Sequence, residues 1–429
     1  MVDSQNPLPG RSRDIDISKP SSRRPQGPKL NWLWFLIFLL IAAIIFFLGD
    51  QGRLGWMPLL IFGLPVVAIA CWIAWILVVR RGILTWGRLA RAPARALARG
   101  DKAGAERALS AALERAHRFS LHDHRRGLML LELASYVKNQ GRYPDAKALF
   151  EECIDILGRR WQSNPMDYFI ALNNYAVYLI DVCDFMAAQN TLEKVLDLAL
   201  FWKKGPGAQS VATENSVRLA ETCFHLNLVF LFVRMDAPAE ARDHLEEADA
   251  IVPKLTRQQE ATLGDYHRAV AALLLYAEGR FADAAGQLRD VKNQDHLLGL
   301  HVRAKLHLVA REFSQAEQVL HKLFDLERDK GSAHRPGLQD HTMDLAESLF
   351  GQGKVDDAFA ALQKARAIVA DFALPTTTAW RQALIRWLQR AQELGRTDAV
   401  ASLETELQQA PAASDHGITI STRLRVRAL

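Results

Sequence analysis

The sequence predicts an all-α chain, with two apolar helices near the N-terminus followed by about eight helical hairpins in a row. Three observations carry that reading. Residues 32–48 and 56–79 contain no charged side chain. Over residues 100–409 the apolar positions recur at three- and four-residue intervals, the mark of amphipathic helices. A turn, an aromatic, an Ala and a large apolar residue also return in that order at intervals of 32 to 53 residues.

In chain order, residues 1–31 hold five Pro, five Ser, six Lys or Arg and three Asp without apolar periodicity. That composition reads as a disordered basic cytoplasmic arm. A helix rises about 1.5 Å per residue against a hydrocarbon thickness of about 30 Å. Residues 32–48 therefore span just barely, and 56–79 span with room for tilt. Trp32, Trp34 and Trp56 stand at the segment ends, where indole prefers the interface. The polar lead is too long, and a small-x-small site is missing, for a cleaved signal peptide. The link 49–55 carries one Asp and one Arg, whereas the arm before the hairpin and Arg80, Arg81, Arg88, Arg91, Arg95 and Arg99 after it are basic. The positive-inside rule then places both ends in the cytoplasm. The expectation is an integral membrane protein, N-in/C-in, of a bacterial inner membrane, with 32–79 as its membrane hairpin.

Residues 82–99 read as the first helix of the first hairpin, kinked at Pro93, with an Arg-rich face toward the head groups. Turn positions follow at Gly100, Gly141, Cys183, Asp236, Gly279, Arg311, Gly353 and Gly395. At the sixth position, counting the turn as the first, the set reads Ala105, Ala146, Ala188, Ala241, Ala284, Ala316, Ala358 and Val400, seven Ala of eight. The large apolar position reads Leu109, Phe150, Leu192, Leu245, Leu288, Leu320, Leu362 and Glu404, with Leu403 beside the last. A hairpin cannot bury its apolar face alone, so recurrence of the unit implies stacking. The weaker match of the first and last units suits capping repeats. The longest interval holds an insertion near 201–215, where Lys-Lys-Gly-Pro-Gly breaks the helix. The hairpins occupy 80–410. Residues 411–429 form a tail whose Ile418, Ile420, Leu424 and Val426 alternate with Thr and Arg, a strand-like pattern on a terminus expected to fray.

The pattern resembles the tetratricopeptide repeat (TPR), and Leu172-Asn173-Asn174-Tyr175-Ala176 is similar to the opening of kinesin light chain repeats. The resemblance implies a right-handed α-solenoid whose first helices line a concave groove. In peptide-binding members an Asn on that helix contacts the ligand backbone, and the matching positions here are Asn174 and Asn227, with Asn173 beside the first. An Asn amide offers donors and an acceptor to an extended chain. Neighbouring concave positions include Phe230, Tyr266, Leu273 and Tyr276. Lys138, Arg234 and Lys305 are the only cations nearby, which departs from the Lys/Arg clamp that cochaperone members use for a terminal carboxylate. Two spans followed by such repeats are also similar in plan to bacterial inner-membrane proteins associated with haem biosynthesis.

Motifs for chemistry are missing. The cluster His117, His122, Asp123, His124 lies at a turn, and His122 and His124 do not share a helix face. His-Glu-x-x-His, Cys-x-x-Cys, the phosphate loop and Gly-x-Ser-x-Gly do not occur. Cys71, Cys153, Cys183 and Cys223 fall in apolar patterns and read as unpaired thiols. The net charge of +5 is concentrated beside the apolar segments, which argues against nucleic acid as a partner. The expectation is a scaffold, not an enzyme, without cofactor or metal, that holds a protein or peptide partner. The alternatives are an assembly or oligomerisation subunit of a membrane complex, with self-association, and an enzyme or metal protein with an unrecognised site.

The topology is testable. In a full-length variant lacking its native Cys, Gly52→Cys should react with a membrane-impermeant maleimide added to intact cells. Ser414→Cys should react only after lysis, and the reverse pattern would invert the orientation.

Overall fold

Each second helix begins two residues after a backbone residue in the left-handed region. A computed structural model describes residues 88–409 except 120–123, 160, 205–210, 330–334 and 376. The basic arm, both apolar stretches and the alternating tail lie outside the described residues. Among the described residues all regular structure is helical, without a strand. The helices run in pairs: α1 (Ala92–Leu97) with α2 (Lys102–Arg118), α3 (His124–Asn139) with α4 (Tyr143–Gly158), and α5 (Pro165–Asp181) with α6 (Phe185–Lys204). Then come α7 (Val211–Arg234) with α8 (Pro238–Ile251), α9 (Arg257–Ala277) with α10 (Phe281–Arg289), and α11 (Leu297–Val309) with α12 (Phe313–Asp329). Last are α13 (Leu338–Gly351) with α14 (Val355–Asp371), and α15 (Thr378–Glu393) with α16 (Thr397–Gln409).

The turn chemistry is the same in every pair. Gly100, Gly141, Cys183, Asp236, Gly279, Arg311, Gly353 and Gly395 all have φ between +59° and +77°. In each, the next residue's N–H donates back across the turn to the carbonyl five residues before it, as in Arg142 to Val137 (3.2 Å) and Glu312 to His307 (2.8 Å). This is the Schellman closure, which satisfies carbonyls that the helix end leaves orphaned. Glycine adopts that backbone freely, so five turns use it, while Cys183, Asp236 and Arg311 carry the strain of a Cβ there.

The closure delivers the second helix onto the first at close range, and small side chains occupy the contact. Ala105, Ala146, Ala188, Ala241, Ala284, Ala316 and Ala358 are at most 1% exposed. The large apolar partners Leu109, Phe150, Leu192, Leu245, Leu288, Leu320 and Leu362 are buried with them. In the last pair the buried residues are Ala399 and Leu403, not Val400 and Glu404, so the register read from sequence slips by one there. Aromatics join that pair to the preceding one: Phe350 on α13 and Phe359 on α14 lie edge to face with Trp387 on α15, with centroids 5.5 and 5.2 Å away.

The chain divides into two compact units, Met1–Asn174 and Tyr175–Leu429, the division falling within α5. In the first, α2 packs on α1 and α3, and α3 on α4. Pro93 sits at the start of α1, and the preceding helical turn breaks at Arg91, as expected of Pro. Arg88, Arg91, Arg95 and Arg99 there are exposed at helical spacing. In the second unit α7, α9, α11 and α13 each meet their hairpin partner, and successive first helices pack as α7 on α9, α9 on α11, and α11 on α13. The short interval between Gly279 and Arg311 comes from α10, which has only nine residues. Its return loop is held by the Asp265 carboxylate, which accepts the N–H groups of Lys292 (2.9 Å) and Asn293 (2.8 Å). Burial raises the Asp265 pKa, but those two bonds outweigh it and hold the carboxyl below its usual value.

Residues Glu214–Arg234 are long and apolar enough to cross a membrane by length and composition. Most of that stretch is covered by protein, because α7 is enclosed by α6, α8 and α9. A helix covered on several sides is apolar around its whole circumference.

The turn argument predicts opposite effects at equivalent sites. A Cβ at Gly279 meets no atom within 4 Å, so Gly279→Ala feels backbone strain alone. It should cost about 1 kcal/mol, whereas Arg311→Gly should gain about 0.5–1 kcal/mol. Denaturant midpoints shifting in opposite directions would check this; parallel shifts would show that the backbone does not dominate.

A candidate peptide-binding cleft in the second unit

One face of α7 presents Asn227, Phe230 and Arg234 at three- and four-residue steps. Asn227 is 6% exposed, and its Oδ1 accepts a 2.6 Å hydrogen bond from the Tyr266 hydroxyl on α9. Burial pushes the Tyr266 phenol pKa up, so the hydroxyl stays a donor. Arg234 reaches Asp340 of α13 at 3.1 Å and the Ile180 carbonyl of α5 at 3.3 Å, with its guanidinium 5.4 Å from the Phe185 ring centroid. Burial opposes its charge, but Asp340 outweighs burial and the pKa is raised.

Beside this, α11 and α13 share a second polar cluster. Asp344 accepts from Lys305 at 3.0 Å and pairs with His301 Nε2 at 3.2 Å. Burial pushes the Asp344 carboxyl up, yet Lys305 and His301 hold it below its ordinary value, and Asp344 in turn holds buried Lys305 protonated. The His301 and His341 rings meet edge to face, with centroids 4.3 Å apart. Burial, followed by His301, Arg335, Lys305 and Arg234, keeps the His341 pKa well below its usual value, so the ring is neutral.

Between these side chains lies a cleft of about 220 Å³. Val177, Ile180, Phe230, Leu297 and Leu298 form its apolar walls, and Asn227, Tyr266, Asp181, Arg234, Arg335, Asp340, His301 and His341 supply the polar atoms. Every helix that contributes, α5, α7, α9, α11 and α13, is the first of its pair. The arrangement is an apolar slot edged by hydrogen-bonding and charged groups.

Of the residues singled out by sequence, Asn227, Phe230 and Tyr266 come together at this cleft. Asn173 and Asn174 lie half-buried on α5, in the first unit. Leu273 is 5% exposed, packs in a core cluster with Ala272, Leu288 and Val302, and is not among the residues lining the cleft. Tyr276 is half-buried against Phe281, with ring centroids 5.6 Å apart, and does not line the cleft. Sequence reasoning missed His301, Asp340 and His341. Their one signal was position on first helices, which does not reveal that they face each other. His124 pairs with Asp167 at 2.6 Å, and His122 lies outside the described residues. Among the described residues the cysteines are unpaired, and burial pushes the thiols of Cys183 and Cys223 up to about 11. No family model matches the chain, and no curated protein matches it either.

A buried imidazole pair lies under α7. The Nδ1 atoms of His225 and His244 are 3.1 Å apart, so one ring donates and the other accepts, and His244 stacks on Phe232. Burial lowers the His244 pKa to about 4. Below the unfolded value near 6.5 the unfolded chain takes up a proton that the native chain refuses until about pH 4. The unfolded state then binds more protons, so stability is lost as the pH falls from 6.5 toward 4. The second unit should lose up to about 3 kcal/mol from this group between pH 6.5 and 4. His244→Gln should lower stability at neutral pH yet flatten that slope in a pH series of thermal unfolding. An unchanged slope would mean that His244 is not held neutral.

Proposed function

We propose that this chain is a membrane-anchored TPR-like scaffold that holds an extended protein or peptide segment on the cytoplasmic side of a bacterial inner membrane. In this reading 32–48 and 56–79 are the two spans, and the hairpins form a right-handed solenoid. The exposed Arg stripe of α1, following directly on the second span, faces the lipid head groups.

The observation that carries the reading is the cleft, because its walls come from successive first helices. A ligand lying across them touches one to three residues from each, as an extended chain can. The repeated αL turn and buried Ala support the repeat assignment, since the same local geometry returns in all eight pairs. Asn227 contributes through the Tyr266 bond, which fixes the amide at the cleft edge.

The test is site-specific photo-crosslinking of the full-length protein in its native membrane. A photoreactive residue at Phe230 should yield an adduct with a different polypeptide, while one at exposed Glu246 on α8 should not. Adducts only at Glu246 would move binding off the groove. An adduct only with a second copy of this chain would favour the assembly-subunit alternative.

A further inference from the structure

Four arginines stand along one face of the first hairpin. Arg88, Arg91, Arg95 and Arg99 are exposed, while Ala90, Pro93 and Ala96 on the other side are buried, where α1 packs on α2. Ala94 and Ala98 are the other exposed residues over 88–99, so nothing larger than a methyl group stands between the guanidinium groups. Arg91 lies 3.6 Å from Glu132 on α3, with 69% of its side chain still exposed. Arg95 donates to the main-chain carbonyls of Arg88 and Arg91. Among the described residues Arg88, Arg95 and Arg99 pair with no carboxylate. Residues 51–100 contain no Asp or Glu, which leaves the stripe without a local counter-charge.

Charge is divided sharply along the chain. Residues 88–118 carry eight Lys or Arg against three Asp or Glu, whereas residues 119–409 carry 33 against 40. An anionic surface therefore attracts the first hairpin and gains nothing from the rest. Position decides which anion meets the stripe. Arg88 follows the end of the second apolar stretch by nine residues, which keeps it within about 30 Å of that end. In a membrane-spanning chain this tether holds the stripe at high effective concentration beside the bilayer, an advantage that a soluble polyanion lacks. Guanidinium forks match phosphate oxygens in pairs. In a zwitterionic lipid the ammonium group already neutralises the phosphate, whereas an anionic lipid leaves it open to Arg.

Resting on the two-span reading above, we infer that the α1 stripe is a docking surface for anionic phospholipid head groups, with Arg88, Arg91, Arg95 and Arg99 on their phosphates, and that docking is confined to the first hairpin. Arg91 is shared, because a phosphate there competes with Glu132. The anionic lipid content of the bilayer then sets how firmly this hairpin is held to the surface.

The experiment places full-length protein, lacking its native Cys and carrying an environment-sensitive fluorophore on Ala98→Cys, in nanodiscs of phosphatidylcholine with or without phosphatidylglycerol. Emission should shift to the blue only with phosphatidylglycerol and should return at high salt. Arg88→Gln, which removes no described side-chain bond, should lower the ratio of docked to undocked probe about fivefold, and adding Arg95→Gln should lower it about fivefold more. The same label on Ala401→Cys of α16 should not respond. Hydrogen exchange over 88–118 in the unlabelled chain, slowed by phosphatidylglycerol, serves if the Cys-free variant fails to fold. Emission that ignores lipid charge or salt, or an equal response at Ala401, would overturn the docking surface. So would an equal response to a single-stranded oligonucleotide added to phosphatidylcholine discs, which would make the partner a nucleic acid. A chain that stays in solution without lipid would refute the two spans instead, and vesicles of the same two compositions would then judge the stripe by itself.

Discussion

Close approach between paired helices is the constraint on which the rest of the described structure depends. A left-handed residue ends the first helix, and one backbone hydrogen bond across it fixes the angle at which the second departs. At that angle the helices meet within reach of a methyl group, so the contact takes Ala and excludes anything larger. Seven of the eight pairs place a fully enclosed Ala there. Overpacking such a contact would force the helices apart, with a typical cost of about 1–3 kcal/mol. The eighth pair shifts by one residue: Ala399 is buried in place of Val400, and Trp387 packs on Phe350 and Phe359 of the preceding pair.

The cleft follows from that geometry. Once second helices are pinned behind first helices, the first helices stand next to one another, and their remaining face is the one that can be open. In the second unit α7, α9, α11 and α13 touch in succession, so residues far apart in sequence share a wall. The balance of charge at that wall is a tertiary property. Arg234, Lys305 and Arg335 would look like a basic patch if taken singly, yet each meets a carboxylate supplied by another segment or the adjacent loop. The partly covered environment strengthens those pairs relative to exposed ones, and the strength shows in the raised pKa of Arg234 and Lys305.

The buried histidines illustrate how such a fold tolerates polarity inside. His225 and His244 satisfy each other, and His301 leans on Asp344, whereas His341 keeps one nitrogen without a partner. The first two arrangements are self-contained. The third leaves a buried nitrogen unsatisfied on a residue that also lines the cleft.

What the sequence determined by itself was local. Gly141 or Gly279 announces its turn because only the left-handed backbone needs such a residue, and Ala146 or Ala284 announces its contact because only a small side chain fits. Those signals depend on a few neighbouring residues, so the positions of all eight turns were readable, including the non-glycine Cys183, Asp236 and Arg311. Asn227 and Phe230 were readable as one face of α7 for the same reason: helical periodicity sorts a helix into faces. Periodicity does not say how deeply a residue is covered, and Leu273 packs in a core cluster with Ala284 and Leu288 of α10. The tertiary structure alone decided the cleft's electrostatics. Neutralisation of Arg234 by Asp340, or the meeting of His301 with His341, depends on contacts between segments that no local pattern records.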